Sequence, residues 1–325
     1  MTTQQLQEIT TCQLCSSERT VERFKEDPYT VLECADCGLV YVTPRFSGEA
    51  LREVYGHTYW RSDKPRVQGY SDYTADEELY LKTYRHRLGF LEHLLDRKLR
   101  VLDVGCAAGF FLRIMSEKGH EVAGIELSAE IATHAKEHLG VDAVHVGTLD
   151  DVPADHPKII EGSFDLVTMW DVVEHVPDPQ SLLRRARKLL KPTGKLVLET
   201  QNVSSSFAKL LGRRWHHYKH AEHLYHFNRE TIRTLLGQAG FEIERNTASY
   251  GGKYVSLGFI AERAARLHAV VSLMLKPLTL LKHSNLYLNF RDEMVVMARP
   301  TDGPPPPGPN GQVHAGAFEA STDIG

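Results

Sequence analysis

The sequence predicts an α/β protein built on a doubly wound parallel sheet, preceded by a small four-cysteine module. From residue 99 onward, short apolar runs alternate with helix-length amphipathic segments, which is the pattern of βαβ units. Near the N-terminus, two Cys-x-x-Cys pairs account for all but one of the cysteines. In such a sheet, ligands bind at the carboxyl ends of the parallel strands.

Length and charge narrow the class of protein. At 325 residues the chain is long enough for one large domain and a small satellite. Its net charge of −4 gives no electrostatic indication of a nucleic-acid partner. The first residues show no basic region followed by an apolar run, and no apolar segment has the length of a membrane span. We therefore expect a cytoplasmic protein that binds no nucleic acid.

The first 45 residues predict a zinc ribbon. Two cysteine pairs, 18 residues apart, have the spacing typical of a tetrahedral zinc site. They are Cys12 and Cys15, then Cys34 and Cys37. Short strands are expected at 20–24, 30–33 and 38–42. Four thiolates close the coordination shell, so the predicted Zn²⁺ is structural. A redox dithiol is the alternative.

Residues 46–98 are expected to form a linker and a helical lid. Helical periodicity predicts a short helix at 47–55 and a longer one from Ala75 to Asp96, with a polar loop at 61–72 between them. The region is rich in aromatic residues. It therefore either packs between the ribbon and the main domain or covers the substrate pocket.

The main domain, residues 99–300, opens with a strand, a small-residue turn and a helix. Strands are predicted at 99–104, 121–126, 142–146, 164–170 and 194–200, and helices near 109–118, 128–139 and 179–190. Gly105 and Gly109 allow the turn backbone to approach a ligand closely. Glu126 ends the second strand, roughly 20 residues on, where such folds bind a ribose diol. The pairing predicts a nucleoside-like cofactor.

The motifs from about residue 80 to 250 resemble those of class I S-adenosylmethionine (SAM)-dependent methyltransferases. Asp-Val-Gly-Cys-Ala-Ala-Gly at 103–109 is similar to the first motif of that family, D/E-x-G-x-G-x-G, with Ala107 at its middle glycine. The segments 147–153, 163–176 and 191–200 resemble the adenine loop, the fourth-strand motif ending in Glu-His-Val, and the hairpin with the fifth strand. The resemblance implies a Rossmann-like methyltransferase fold with SAM as cofactor.

The resemblance also implies which residues contact SAM. The amino-acid end is bordered by Asp103, Gly105, Cys106, Ala107 and Gly109, the ribose by Glu126 and Leu127, the adenine by Thr148, Leu149 and Asp150, and the methionine side by Trp170 and Asp171. Three of these have plain structural alternatives. Cys106 could be a packed small residue, Asp171 a helix N-cap and Trp170 ordinary core.

Two histidines are candidates for a general base, because an imidazole titrates near neutrality. His175 lies just beyond the fourth predicted strand. His223 lies in segment 215–228, which holds five histidines within eleven residues and resembles a loop beside the acceptor pocket. His175 could instead have a structural or cofactor-side role. His216, His217 and His220 could be solvated surface, or the cluster could hold a second metal.

The C-terminal part is predicted to complete the sheet around an insertion. A helix is expected at 229–240, a strand at 242–245 and the last strand at 292–299. Between them, the helical insertion 254–283 is apolar with basic flanks. It is expected to cover the acceptor pocket, to form a homodimer surface or to make peripheral membrane contact. The proline-rich tail, 301–325, is expected to be disordered.

The expected function is methyl transfer from SAM to a small-molecule acceptor. A four-cysteine ribbon before such a core resembles sugar and natural-product tailoring methyltransferases. The C-terminal region is too short for the further domain of sugar C-methyltransferases, which favours O-methylation of a sugar, natural-product or polysaccharide intermediate. The alternatives are methylation of a lipid or quinone precursor at a membrane surface, and a non-catalytic zinc-ribbon binding module.

Overall fold

The computed structural model describes residues 6–46, 74–257 and 284–303, together with Ala50 and Trp60. The predictions for 47–55 and 61–72 lie outside these residues, Ala50 apart. Most of the insertion and of the tail, 258–283 and 304–325, also lies outside them. Within the described part, no helix is both long enough and apolar enough to cross a membrane.

The N-terminal module contains five short strands. They are β1 (Leu6–Gln7), β2 (Thr20–Glu26), β3 (Tyr29–Cys34), β4 (Val40–Thr43) and β5 (Arg45–Phe46). Strands β2, β3 and β4 form an antiparallel meander, and β1 pairs separately with β5. The strands predicted around residues 20, 30 and 40 are confirmed.

The main domain consists of a seven-stranded sheet with helices on both faces. Its helices are α1 (Glu77–Leu91), α2 (Phe110–Glu117), α3 (Ala129–Leu139), α4 (Pro179–Leu189), α5 (Ser206–Leu211) and α6 (Arg229–Gln238). Its strands are β6 (Arg100–Val104), β7 (Glu121–Glu126), β8 (Val144–Val146), β9 (Phe164–Trp170), β10 (Leu190–Gln201), β12 (Phe241–Thr247) and β15 (Glu293–Pro300), with β11 (Tyr225–His226), β13 (Lys253–Ser256) and β14 (Asn285–Leu288) in smaller sheets.

The strand order is β12-β15-β10-β9-β6-β7-β8. Strands β8, β7, β6, β9 and β10 are parallel, whereas β15 runs antiparallel to both β10 and β12. The chain winds outward from β6 in both directions, so the predicted doubly wound α/β fold is confirmed. The carboxyl ends of β6, β7 and β9, three neighbouring strands, therefore lie side by side.

Two buried clusters cover the two faces of the sheet. Helices α1, α2 and α3 contribute to one cluster and α4 and α6 to the other, and strand residues alternate between them. Helix α4 begins where Asp178 accepts the backbone N–H of Ser181, with Pro179 in the first turn. The helix expected from Ala75 to Asp96 is shorter in the structure. It spans the residues of α1 and is followed by a single 3₁₀ turn at 92–94.

The structure corrects the expected start of the helical insertion. Residues 253–256 form a strand, β13, that pairs antiparallel with β14. The two strands make a separate ribbon beside the main sheet. These paired strands therefore flank residues 258–283 in the sequence.

The N-terminal module and the main domain share one sheet and one core. Strand β11, which lies in the histidine-rich segment, pairs antiparallel with β4, so that Tyr225 faces Tyr41 and His226 faces Val40. Cys12 and Cys34 belong to the same buried cluster as helices α4 and α6. The four-cysteine module therefore holds the histidine-rich segment from one side, an arrangement that the sequence did not predict.

Candidate functional site

The turn after β6 has the backbone geometry that its small residues suggested. Gly105 and Gly109 have φ values of +75° and +77°, and Ala107 also adopts a positive φ of +48°. A Cβ on Gly105 would lie 2.7 Å from Cγ2 of Val172, so only glycine fits there. Ala107 occupies a left-handed position that favours glycine, which explains why the motif of the resembling family has glycine there.

Glu126 lies directly against this turn. It is buried at the end of β7, where its Oε2 accepts the Ala107 N–H at 2.9 Å and its Oε1 accepts the Ser128 N–H at 2.8 Å. Burial raises the pKa of Glu126 to about 7. A carboxylate can accept about four hydrogen bonds, so capacity remains for a diol. Leu127, the next predicted contact, is half-buried at the same edge.

Asp103 and Cys106, before and within the turn, have different roles: one is hydrogen-bonded and the other is packed. Asp103, at the buried end of β6, accepts a 2.6 Å hydrogen bond from the hydroxyl of Thr168, and burial raises its pKa to about 8. Cys106 packs against Gly124, where an added Cβ would lie 2.6 Å from its Sγ. The packed alternative for the Cys106 side chain is therefore the one that the structure shows.

The predicted adenine loop follows β8 and is fixed by its own hydrogen bonds. The backbone N–H and the hydroxyl of Thr148 both donate to Oδ2 of Asp151, at 2.8 Å each. Leu149 is buried in the cluster that contains α4, whereas Asp150 is exposed and pairs with Arg185 at 3.3 Å. The three predicted adenine residues therefore stand in different environments, and Thr148 and Asp150 are the ones open to a ligand.

Trp170 ends β9 within an aromatic cluster. Its ring lies edge-on to Phe111 and Tyr84, with centroid separations of 5.3 and 5.9 Å. The guanidinium of Arg87 lies 5.1 Å from the Trp170 centroid and forms a fully buried ion pair with Glu199 at 2.5 Å. The indole Nε1 is buried and makes no hydrogen bond within the described residues. The ring of Trp170 is therefore packed in the core, whereas its Nε1 remains available to donate a hydrogen bond to a ligand.

Asp171 follows Trp170 at a sharp turn, with a φ of +55°. Its Oδ2 accepts a 3.0 Å hydrogen bond from Nζ of Lys253. Burial acts to raise the pKa of Asp171, but the ammonium of Lys253 lowers it below its ordinary value. The N-cap alternative for Asp171 is wrong, because α4 is capped by Asp178.

The two candidate bases lie together. The rings of His175 and His223 meet edge to face with centroids 4.6 Å apart. Nδ1 of His175 lies 3.0 Å from the carbonyl oxygen of Glu222. A carbonyl only accepts, so Nδ1 carries the proton and Nε2 is the basic nitrogen. Burial lowers the pKa of His175 below its ordinary 6.5, and lowers that of His223 further.

The four predicted zinc ligands converge. The Sγ atoms of Cys12 and Cys37 lie 3.5 Å apart, as do those of Cys15 and Cys34, and all four lie within 4.8 Å of one another. Zn–S bonds of about 2.3 Å in a tetrahedron separate the sulfurs by about 3.8 Å. The four thiols are free, and their arrangement can hold one tetrahedral metal.

The histidine-rich segment is mostly buried. His217 and His220 are 8% and 7% exposed, so the solvated-surface interpretation is wrong for both, whereas the side chain of His216 is half exposed. Nε2 of His217 lies near carboxylate oxygens of Asp292 and Glu293, at 3.7 and 3.4 Å. Glu293 is the first residue of β15, and Asp292 directly precedes it.

Sequence reasoning missed three charged residues at this edge: Lys253, Asp292 and Glu293. Lys253 pairs with both Asp171 and Glu293, at 3.0 and 3.2 Å. The position of Asp292 and Glu293 could have been predicted from the sequence. Because the last strand is antiparallel, its first residues lie at the carboxyl ends of the parallel strands, and Glu293 indeed pairs with Gln201 at the end of β10. No local pattern marked Lys253.

The sheet topology defines a Rossmann-like α/β protein. Residues 73–246, just over half of the chain, match the family described as "Methyltransferase domain". The chain therefore belongs to this family of methyltransferase domains. The matched range contains the glycine turn, Glu126, His175 and His223, and excludes the four cysteines.

Curated relatives carry one recurring name. The chain is 38% identical over 135 residues to a ubiquinone biosynthesis O-methyltransferase of Xanthomonas euvesicatoria, covering 37% of this chain and 55% of the relative. A protein of the same name from Xanthomonas oryzae is 37% identical over 149 residues, covering 41% and 61%. The chain thus spans between half and two thirds of the length of these relatives.

Solved structures with related folds are more distant in sequence. The magnesium protoporphyrin IX methyltransferase of Synechocystis, determined with bound SAH, has a TM-score of 0.48 at 15% identity, covering 78% of this chain and all of that one. A possible histamine N-methyltransferase of Thermotoga maritima has a TM-score of 0.44 at 19% identity, covering 70% and 97%.

Proposed function

We propose that this protein is a SAM-dependent O-methyltransferase that methylates a hydroxyl group of a small molecule. One observation carries the proposal. The glycine turn, Glu126 and His175 follow β6, β7 and β9, three neighbouring parallel strands, and so stand at one edge of the sheet. This arrangement supports a cofactor edge with a half-buried candidate base, His175, beside it. Membership of the methyltransferase family favours this proposal over a non-catalytic binding module.

The residues at the cofactor edge fit SAM. Glu126 offers a buried carboxylate with acceptor capacity for the ribose hydroxyls, and the turn from Gly105 to Gly109 offers close backbone approach. Thr148 and Asp150 would border the adenine, and the indole N–H of Trp170, which has no partner among the described residues, would face the methionine side. SAM, when bound, supplies an electrophilic methyl group.

His175 would act as the base for the acceptor hydroxyl. Its Nδ1–H is fixed on the carbonyl of Glu222, so its Nε2 is the nitrogen that can take a proton. Because burial lowers the pKa of His175, the ring is neutral and basic at pH 7. His223 packs against the same ring and is the second candidate. Asp171 and Lys253 neutralise each other beside this pair.

The acceptor class is narrowed by the relatives. Those described above are named for ubiquinone biosynthesis, and they support a quinone precursor rather than the sugar or natural product favoured by the sequence pattern. The four-cysteine module lies outside the matched domain, and we propose that it binds a structural Zn²⁺. Its thiols are positioned for a closed tetrahedral shell, which leaves no ligand position for a substrate.

A labelled-methyl assay tests the function and the acceptor together. The full chain is incubated with methyl-labelled SAM and, in parallel, with hydroxylated aromatic quinone precursors or with nucleotide sugars. The proposal predicts label in an ether-linked methyl of the aromatic acceptor. Transfer to the sugars alone would overturn the acceptor class but keep the enzyme. Absence of transfer to either, together with no SAM binding, would overturn the enzyme itself.

A further inference from the structure

A second group of metal-type side chains lies at the start of β15, remote from the four cysteines in sequence. Nε2 of His216 lies 3.8 Å and Nε2 of His217 lies 3.7 Å from Oδ2 of Asp292, and the three ligand atoms fall within 4.8 Å of one another. Oε1 of Glu293 lies 3.4 Å from Nε2 of His217. Two imidazoles and two carboxylates therefore converge on one small volume.

The burial of His217 is an independent observation. The residue is 8% exposed, and its Nε2 is shielded from solvent while making no hydrogen bond within the described part of the chain. A buried polar atom without a partner is costly in water-free surroundings. The atom points towards Asp292 and Glu293 at distances too long for a good hydrogen bond. A cation bound by His217 and Asp292 would give this nitrogen a partner.

The carboxylates of this group are held in place by neighbours. The indole Nε1 of Trp215 donates to Oδ2 of Asp292 at 2.8 Å, and Nζ of Lys253 lies 3.2 Å from Oε1 of Glu293. Hydrogen-bonded carboxylates of this kind surround protein metal sites, where the donor orients the ligand. Lys253 is also shared with Asp171 at 3.0 Å, so one ammonium pairs with two carboxylates, and Asp292 adds a third acidic group next to Glu293. The local charge balance favours an added cation.

We propose that His216, His217 and Asp292, with Glu293 beside them, form a site for a first-row transition-metal dication. Ligand atoms about 2.1 Å from a metal at tetrahedral angles lie about 3.4 Å apart, close to the separations observed. Imidazole with carboxylate suits zinc, cobalt or iron, whereas magnesium and calcium take oxygen ligands. The set also differs from the four-thiolate site, so the two metals are chemically distinguishable.

The position of this site suggests what it does. The chain of contacts Glu293, Lys253, Asp171 links it to the loop after β9, where the acceptor is placed by the proposed function. Three protein ligands leave a coordination position open, and a bound dication there polarises a hydroxyl oxygen. This role rests on the proposed function. The binding of the metal does not.

Cobalt binding tests the site directly. The full-length chain is equilibrated with Co²⁺ without SAM or acceptor, dialysed, and analysed for cobalt content and visible absorption. We expect two equivalents per chain, one with thiolate-to-cobalt charge transfer and one without. The variant His216→Ala, at a half-exposed position, is expected to lose the second equivalent and keep the charge-transfer band. Asp292→Asn, which retains an acceptor for Trp215, should behave in the same way.

A matched histidine variant separates this site from general histidine binding. His220→Ala removes a neighbour that is as buried as His217 but pairs with Glu26 instead. It should keep both equivalents. The proposal is overturned if the wild type binds only the thiolate-ligated cobalt, if His216→Ala and Asp292→Asn keep the second equivalent, or if His220→Ala loses it as well. None of these outcomes depends on methyl transfer.

Discussion

The proposed cofactor edge and the proposed acceptor edge of this protein are built in different ways. The proposed cofactor edge is local: Ala107 in the turn and Glu126 are 19 residues apart and meet through one hydrogen bond. The acceptor edge draws on His175, the histidine-rich segment, Lys253 and the start of β15, with β4 of the four-cysteine module behind them. The first can change little without losing the cofactor. The second can be varied by exchanging remote segments.

This contrast predicts that cofactor binding and methyl transfer are separable by mutation. Changes behind the acceptor edge should lower transfer and leave SAM affinity intact. Changes at the glycine turn or at Glu126 should mainly lower the affinity for SAM.

Cys34→Ser should have the largest effect. It removes one of the four clustered thiols, and with it the support that β4 gives to β11 and the histidine-rich segment. Because small misplacements of catalytic groups cost about 100-fold, we expect transfer to fall by about that factor or more. SAM affinity should change less than about threefold by the same reasoning. Initial rates and SAM titration of the purified variant measure both.

The matched control is Val21→Ala, at an exposed position on β2 of the same module. It should leave both properties unchanged. An equal loss of transfer and of SAM affinity in Cys34→Ser would show that the two edges are not separable.

His175→Ala should lower kcat by about 100-fold, the lower end of the usual contribution of a general base. KM for SAM should stay near the wild-type value. In the wild type, the base acts when neutral, and burial lowers the pKa of His175, so kcat should fall on the acid side only below pH 6.5. The pH profile of kcat measures this. His134→Ala, on the exposed face of α3, is the control. If His223→Ala alone lowers kcat, the two histidines exchange roles.

Glu126→Gln should raise KM for SAM by about 10-fold, because one charge-assisted hydrogen bond is weakened and the diol loses a charged acceptor. kcat at saturating SAM should change little. The comparison is with Glu121→Gln, at the exposed start of the same strand, which should match the wild type. An unchanged KM in Glu126→Gln would remove this residue from the cofactor edge.

Ala107→Gly should have the smallest effect. It should raise the free energy of unfolding, whereas most substitutions in a protein core lower it. Ala107 adopts a φ of +48°, where glycine avoids a strain of about 1 kcal/mol. We expect the free energy of unfolding to rise by about 0.5 kcal/mol once the greater chain entropy of glycine is included. Ala129→Gly, at the first position of α3, should instead destabilise. Urea unfolding of the two variants gives the comparison.

The same division explains what the sequence could and could not predict. The parallel strands, the glycine turn and the position of Glu126 follow from patterns within about 25 consecutive residues, because strand, turn and helix signals are local. The cysteine spacing likewise predicted a cluster that the structure brings within 4.8 Å. These features depend on backbone conformation and on residues that are close together in the sequence.

The acceptor edge could not be derived in this way. Strand β11 is two residues long, too short for any periodic signal, and its partner β4 lies far away in the chain. Lys253 meets Asp171 across 82 residues through tertiary packing alone. Asp292 and Glu293 were within reach, because the antiparallel direction of β15 places its first residues at the functional edge.

A calorimetric titration with SAM of the wild type, Glu126→Gln and His175→Ala, carried out side by side on the full chain, tests the central claim most directly. We expect one SAM per chain for the wild type, the same affinity for His175→Ala, and clearly weaker binding for Glu126→Gln. Absence of SAM binding to the wild type, or an equal loss in both variants, would contradict it.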